Sequence, residues 1–311
     1  MLDLIIRVGR SNVWGNPTGL RRVGRAMSAK TIVVGGGAMG TAIVRGLLDS
    51  GMLSPSDVVV AEIEEERRRL LATQFGVTTS SEPSTCVDSG KVMILAIKPQ
   101  NFEELSRSIR PVLHPDALVI SIMAGVSRTR LREALGTDRV VRVMPNIAAQ
   151  VGQGMSVWIA GDGISGDDRE ATKRVLAVLG SELEIEQESL LDVATAVHGS
   201  GPAYLYLLAE AWIDAGVVAG LDRPTSEVLV RQTIAGSVAL WEQSGRLPAE
   251  LRAAVTSPGG TTAAGLEALE KFDFPRAMRA AIDAATRRSR AVSYTHLRAH
   301  ETLRYLVCRL L

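Results

Sequence analysis

A short β-branched run, Thr31-Ile32-Val33-Val34, passes directly into Gly35-Gly36-Gly37-Ala38-Met39-Gly40 and then into an amphipathic stretch that closes at Gly51. Glycines at 35, 37 and 40 give the spacing G-x-G-x-x-G at a strand-to-helix turn. Each glycine has its own task. Gly35 permits the tight turn, Gly37 lets a pyrophosphate approach the backbone, and Gly40 lets helix pack on strand. The helix N-terminus opening at Ala38 adds unpaired N–H groups and partial positive charge. Glycines are common in such turns, but here a strand precedes the motif and a helix follows it. The pattern therefore predicts a dinucleotide site over Val34–Gly40 and a βαβ unit around it.

Residues 30–185 repeat that alternation. Val58–Ala61, Val92–Ile97, Leu118–Ser121, Val140–Met144 and Met155–Ile159 read as further strands, separated by helices such as Ala38–Ser50 and Glu62–Phe75. Apolar strands without in/out alternation are buried on both faces. This predicts a mostly parallel sheet with helices on each side, a Rossmann-like domain over 27–186. After Glu186 the strands stop. Segments 188–220, 224–244, 248–256 and 261–291 read as helices, an all-α domain over 187–291. Ala203–Val218 carries only Glu210 and Asp214 as charges. So apolar a helix must be covered on more than one side, and one hundred residues can hardly do it alone. A homodimer is the expectation.

Two segments carry the candidate chemistry beyond the glycine loop. Glu62, at the end of the second strand, stands where an acid binds a ribose 2′-hydroxyl and favours NADH. Arg67-Arg68-Arg69, one turn further on, could instead reach the 2′-phosphate of NADPH, so both coenzymes stay open. The second segment is Thr256-Ser257-Pro258-Gly259-Gly260-Thr261-Thr262. Hydroxyls and paired glycines at a helix entrance offer donors to a small anion, although a plain capping turn has the same composition.

Bulk composition excludes several classes. Thirty-five basic against thirty-four acidic side chains give no electrostatic case for nucleic acid or a membrane surface. No apolar run reaches the roughly 18–20 residues of a membrane span. Cys86 and Cys308 are the only cysteines, too few for a disulfide framework or a cysteine metal site, and they fit a reducing, cytoplasmic setting. Both ends look foreign to the fold. Residues 1–26, with five Arg and one Asp, mimic a basic transit peptide but read more simply as an over-extended start before Met27. Residues 292–311 look like a translated sequencing adapter followed by residual frame. His296 and His300 have the spacing of a helical metal pair, and are set aside with that tail.

Six motifs, in order, resemble the pyrroline-5-carboxylate reductase family. They are Val34–Gly40; Ala96-Ile97-Lys98-Pro99; Ser121-Ile122-Met123-Ala124-Gly125-Val126; Arg142-Val143-Met144-Pro145-Asn146; Gly199-Ser200-Gly201-Pro202-Ala203-Tyr204; and Ser257–Thr262 followed by Ala264-Gly265-Leu266. The resemblance runs from about Ser28 to Ala291. It implies a Rossmann-like domain plus a helical domain intertwined in a homodimer, with rings of dimers as a further assembly. It implies reduction of 1-pyrroline-5-carboxylate, a cyclic imine with one carboxylate, to L-proline by NADPH or NADH. Hydride transfer to an imine needs no metal and no nucleophile, only an anchored substrate and a placed nicotinamide. By resemblance Ser257, Gly259 and the N–H groups of Gly260 and Thr261 hold the carboxylate. Thr262 hydrogen-bonds the imine nitrogen and is the catalytic residue. Ala96, Ile97, Lys98, Pro99, Ile122, Met123, Ala124 and Asn146 line the cofactor with Gly35, Gly36, Gly37, Ala38, Met39 and Gly40. The resemblance also allows the substrate loop to come from the partner subunit.

The chain departs from the family pattern at His198, where serine is usual, at Ile147-Ala148, where Thr-Pro is usual, and at Ala254. A histidine at 198 could donate a proton near neutral pH or merely occupy a helix face. Glu188 matches a glutamate that precedes the second domain. A hydroxyacid dehydrogenase of similar plan would need a basic lysine in the second domain, where Lys271 is the only lysine. Reduction of a related cyclic imine, or dinucleotide sensing without turnover, are the other readings.

Overall fold

A computed structural model describes residues 30–87 and 91–307, and of 293–307 the backbone only. The reading of residues 1–26 lies outside the described residues. The chain divides into two compact units. One holds the described residues to Gly199 and the chain from Thr286 onward; the other is Ser200–Ala285.

The first unit is built on an eight-stranded sheet. Its strands are β1 (Thr31–Val34), β2 (Val58–Ala61), β3 (Thr78–Ser80), β4 (Val92–Leu95), β5 (Leu118–Ser121), β6 (Val140–Pro145), β7 (Gly154–Ala160) and β8 (Gly180–Glu184). They lie in the order β3-β2-β1-β4-β5-β6-β7-β8. All neighbours run parallel except β6 and β7, which pair antiparallel. Only a short loop joins that pair, and a parallel connection would need a crossover of roughly a dozen residues or more.

Helices α1 (Ala38–Asp49), α2 (Glu65–Phe75), α3 (Phe102–Ile109), α4 (Arg128–Leu135) and α5 (Gly166–Ala177) cover both faces. On β1 the alternation decides which side each residue feeds. Val33 packs with Val60, Ile94, Ile120 and the α1 residues Ile43 and Leu47. Ile32 and Val34 face the other way, toward Met93, Leu95 and the α3–α4 residues Phe102, Ile109 and Leu131. Both faces are apolar because both are covered, as the uninterrupted β-branched runs predict. Each buried Leu or Ile contributes about 1.5–3 kcal/mol relative to exposure. Ser165 and Asp168 form a reciprocal cap on α5, and Ser127 accepts from Arg130 N at 3.2 Å to cap α4.

Two strands escape the sequence pattern, β3 and β8. Both are edge strands, only partly buried, with Leu183 the single apolar residue between them. The segment read as one helix over 188–220 is divided. It comprises α6 (Ser189–Ala194), a π turn over Thr195–Gly199, and α7 (Gly201–Val218). The seam between the two units falls at this break. The second unit continues with α8 (Arg223–Ser244), α9 (Pro248–Ala254) and α10 (Thr261–Lys271). Asp273, at φ 52°, separates α10 from α11 (Phe274–Val307). That last helix continues into the segment whose composition sets it apart from the fold. No helix of the described residues is long and apolar enough to cross a membrane.

Within the second unit the apolar helix α7 buries no residue. Tyr206 is 63% exposed, Leu207 66% and Trp212 45%, and on α8 Leu229 and Trp241 are half exposed. So much exposed apolar surface on adjacent helices marks an interaction face.

Glu188 ties α6 to the sheet. Its Oε1 accepts from Arg142 Nη1 at 2.8 Å and from the backbone N of Arg128 at 3.0 Å, and Oε2 accepts from Arg128 Nε at 3.2 Å. Arg128 also donates to the carbonyl of Ala160. Burial raises the Glu188 pKa, but the hydrogen bonds from Arg142 and Arg128 outweigh it and hold the carboxyl below its ordinary value. A lowered folded pKa adds stability above the unfolded value, and that stability is lost as pH falls through the folded value. Glu188→Gln should therefore cost about 1–3 kcal/mol at neutral pH. In urea melts across pH, the gap from wild type should close as pH falls below ~4.3. A gap constant with pH would contradict the assignment.

Candidate active site

Five loops at the carboxyl ends of parallel strands converge on one rim of the sheet. They follow β1 (Gly35–Gly40), β2 (Glu62), β4 (Ala96–Pro99), β5 (Ile122–Ala124) and β6 (Asn146). Strand order reverses at β1, with β2 on one side and β4 on the other, and ligands bind outside the sheet at such a switch point.

The glycine loop is tight on one side and open on the other. Gly35 has φ +104°, and a Cβ there would lie 2.6 Å from the carbonyl oxygen of Ala96. A Cβ on Gly40 would overlap the carbonyl oxygen of Gly35. Neither position admits a side chain. By contrast, the nearest atom to a Cβ on Gly37 would be Arg67 Nη1 at 3.7 Å. Gly37 is the N-cap of α1, and no side chain caps that helix. The open backbone at Gly37 and the uncapped helix start fit a pyrophosphate. Gly35 N donates to Ala61 O at 2.8 Å and Thr41 Oγ1 to Gly36 O at 3.1 Å, fixing the loop from both sides. Sequence reasoning overlooked Thr41; a hydroxyl in the first turn after such a loop was the available signal.

Glu62 is 8% exposed. Its Oε2 accepts from Gly36 N at 2.7 Å and its Oε1 from Glu64 N at 2.9 Å. The carboxylate is thus part of the loop's own framework. Lys98 and Ala124 are exposed at the rim, while Met123 is buried in the core beneath it. Both ends of the Asn146 amide are engaged within the unit. Nδ2 donates to the carbonyl of His198 at 3.2 Å, and Oδ1 accepts from Met155 N at 3.2 Å.

His198 sits in the π turn with both ring nitrogens against backbone carbonyls. Nδ1 is 2.5 Å from Ala194 O, and Nε2 is 2.8 Å from Met144 O. The ring thus lies between the π turn's own helix and the end of β6, and its N–H donates to a backbone carbonyl there.

In the second unit, Ser257–Gly260 closes as a turn before α10. Gly259 has φ +69°, a conformation that favours glycine. Gly260 N donates to Ser257 O at 3.0 Å, so this N–H, expected from resemblance to bind ligand, closes the turn instead. Gly260 is the N-cap of α10 and no side chain caps the helix. The N–H groups of Thr261 and Thr262, in the first turn, have no intrahelical acceptor. Both threonines and Ser257 are exposed within this unit.

Comparison with known proteins identifies the family. Residues 188–292 match the family described as "Pyrroline-5-carboxylate reductase dimerisation". Residues 30–125 match "NADP oxidoreductase coenzyme F420-dependent". A pyrroline-5-carboxylate reductase of Arabidopsis thaliana is 36% identical over 268 residues, 86% of this chain and 97% of the relative. The chain belongs to the pyrroline-5-carboxylate reductase family. Solved members have the same fold. The enzyme from Coxiella burnetii superposes with TM-score 0.82 at 28% identity, covering 86% of this chain and 99% of that one. The Plasmodium falciparum enzyme, solved with NADP bound, gives 0.78 at 31% identity, covering 86% of this chain and all of its own.

Gly40→Ala tests the loop. The added methyl must displace the Gly35 carbonyl, opening the close contact between α1 and β1. The variant should lose dinucleotide binding by at least about tenfold, read by titration calorimetry. Unchanged binding by a folded variant would show that the tight side of the loop does not shape the site.

Proposed function

We propose that this chain reduces 1-pyrroline-5-carboxylate to L-proline with NADH or NADPH as reductant. The observation that carries the reading is the coexistence of two features in a chain matching the family nearly end to end. One is the glycine cradle at the sheet's switch point, and the other is the uncapped, hydroxyl-rich start of α10.

The reduced nicotinamide, when bound, supplies a hydride to the imine carbon. The chain's residues supply position. Gly37 and the start of α1 hold the pyrophosphate, and Lys98 and Ala124 stand at the rim where the rest of the cofactor lies. The substrate carboxylate takes the N–H groups of Thr261 and Thr262 and the hydroxyl of Ser257. Thr262 Oγ1 donates a hydrogen bond to the imine nitrogen, orienting the C=N bond for attack. A threonine hydroxyl is a poor acid, so the proton that completes the amine comes through water. The working form is a cytoplasmic homodimer covering the exposed apolar residues of α7 and α8, and rings of dimers are its further assembly. We assign this activity to residues 27–291.

Turnover is tested by following loss of reduced-nicotinamide absorbance with pyrroline-5-carboxylate. Rapid oxidation is expected; a folded dimer without turnover would overturn the reading. Thr262→Val should lower kcat by on the order of ten- to a hundredfold with a smaller change in KM. Equal change in both dinucleotide and imine binding would instead point to a folding defect.

Leu207→Asp places a charge on the exposed face of α7 without emptying any core position. Light scattering should show a shift toward monomer, with activity falling in parallel. A fully dimeric, fully active variant would exclude that face from the interface.

A further inference from the structure

Resting on the reading that this chain uses a reduced nicotinamide dinucleotide, we propose that Glu62 makes it selective for NADH over NADPH. The two coenzymes differ only in the adenosine ribose 2′ position, a hydroxyl in one and a phosphate in the other. At the end of β2, beside the glycine loop, the group that meets this position must accept a hydrogen bond or neutralise an anion.

Glu62 cannot turn aside. Each carboxylate oxygen is held by a backbone N–H, Oε2 by Gly36 at 2.7 Å and Oε1 by Glu64 at 2.9 Å. A Cβ on Gly36 would lie 3.3 Å from both Glu62 Cγ and Oε2, so the side chain packs flat against the loop. Its backbone is fixed too, by Glu62 N donating to Ser80 O at 2.9 Å. One N–H on each oxygen leaves a second lone pair on each, which suits the hydroxyls of a ribose. The same fixed negative charge repels a 2′-phosphate, and repulsion by a group that cannot relax is an effective means of discrimination.

The neighbouring arginines are committed elsewhere. Arg68 Nη1 donates at 2.8 Å to the carbonyls of both Glu62 and Ile63. Arg67 pairs with Glu64 at 2.9 Å and Arg69 with Glu65 at 2.6 Å. The pairs of Arg67 and Arg69 are exposed and weak, so these side chains can move. Yet each leaves an acid behind when it does, in a helix start already carrying Glu64, Glu65 and Glu66. The first turn of α2 therefore offers a 2′-phosphate little net positive charge. Nor is the mobile cation nearest the loop aimed at the ribose alone, since Arg67 Nη1 lies over Gly37, where the pyrophosphate approaches.

The test is binding, measured apart from turnover. The Kd values of NADH and NADPH are determined by titration calorimetry on the full chain without imine. Wild type should bind NADH at least about tenfold more tightly. Glu62→Gln removes the charge and keeps the size, and should move the NADH/NADPH ratio toward NADPH by about tenfold or more. Circular dichroism melts establish that the variant folds. Should it fail to fold, Glu62→Ser removes the charge by a different replacement and is judged by the same ratio. Equal or tighter binding of NADPH by wild type, a ratio unmoved in a folded Glu62 variant, or no binding of either coenzyme would each overturn the proposal. NADH-selective binding without turnover of pyrroline-5-carboxylate would uphold this inference while removing the substrate assignment.

Discussion

The contact on which the rest depends is the approach of α1 to the end of β1, where only hydrogen fits on Gly35 and Gly40. This contact sets the direction of α1, and with it the direction of the unpaired N–H groups at Gly37. It also brings the Gly36 amide against Glu62, so β2 is clamped to the loop through a side chain as well as through the sheet. Three strand ends are thereby fixed relative to one another: β1, β2 and, through Ala96, β4. A dinucleotide site needs its phosphate donors and its ribose acceptor in constant register, and a close-packed loop supplies that at small cost in mobile surface.

A second set of contacts extends the same rigidity to β6. Asn146 bridges the carbonyl of His198 to the amide of Met155, and the His198 ring lies between the carbonyls of Ala194 and Met144. Glu188 adds two arginines of the sheet unit a few residues earlier. The π turn lies between these ties. π turns within helices are commonly found where a backbone must be re-aimed for a site.

Most of the first unit was legible in the sequence because its strands are buried on both faces. Thr31–Val34, Val58–Ala61 and Leu118–Ser121 have no reason to be apolar throughout unless helices cover both sides. β3 and β8 were not legible, because Thr-Thr-Ser and Gly-Ser-Glu-Leu-Glu bury little and are strands only through their neighbours. The direction of β7 follows from the short link after Asn146, a length argument that periodicity alone does not make. The break at Thr195–Gly199 depends on Met144, fifty-four residues away in sequence. The strand-to-helix turn at the glycine loop lies where its spacing places it, between β1 and α1. What it could not convey was that Glu62 is bound to the loop itself, because a side chain's partner across twenty-six residues is a tertiary fact.

That attachment changes how the charge pattern after β2 should be weighed. As sequence, an acid at the end of β2 with Arg67, Arg68 and Arg69 a turn or two further on is ambiguous between a ribose hydroxyl and a phosphate. In the fold the acid and the arginines are unequal. Glu62 is nearly buried, carries two backbone hydrogen bonds and cannot leave without orphaning the buried Gly36 amide, a loss of about 1–3 kcal/mol. Arg67 and Arg69 are exposed and held by surface pairs worth under about 1 kcal/mol each. When a fixed group and a movable one compete to define a site, the fixed one sets which ligand fits. The movable one adjusts to whatever is bound. The glycine that makes the turn possible thus also fixes the acid beside it, so architecture and selectivity rest on the same few atoms.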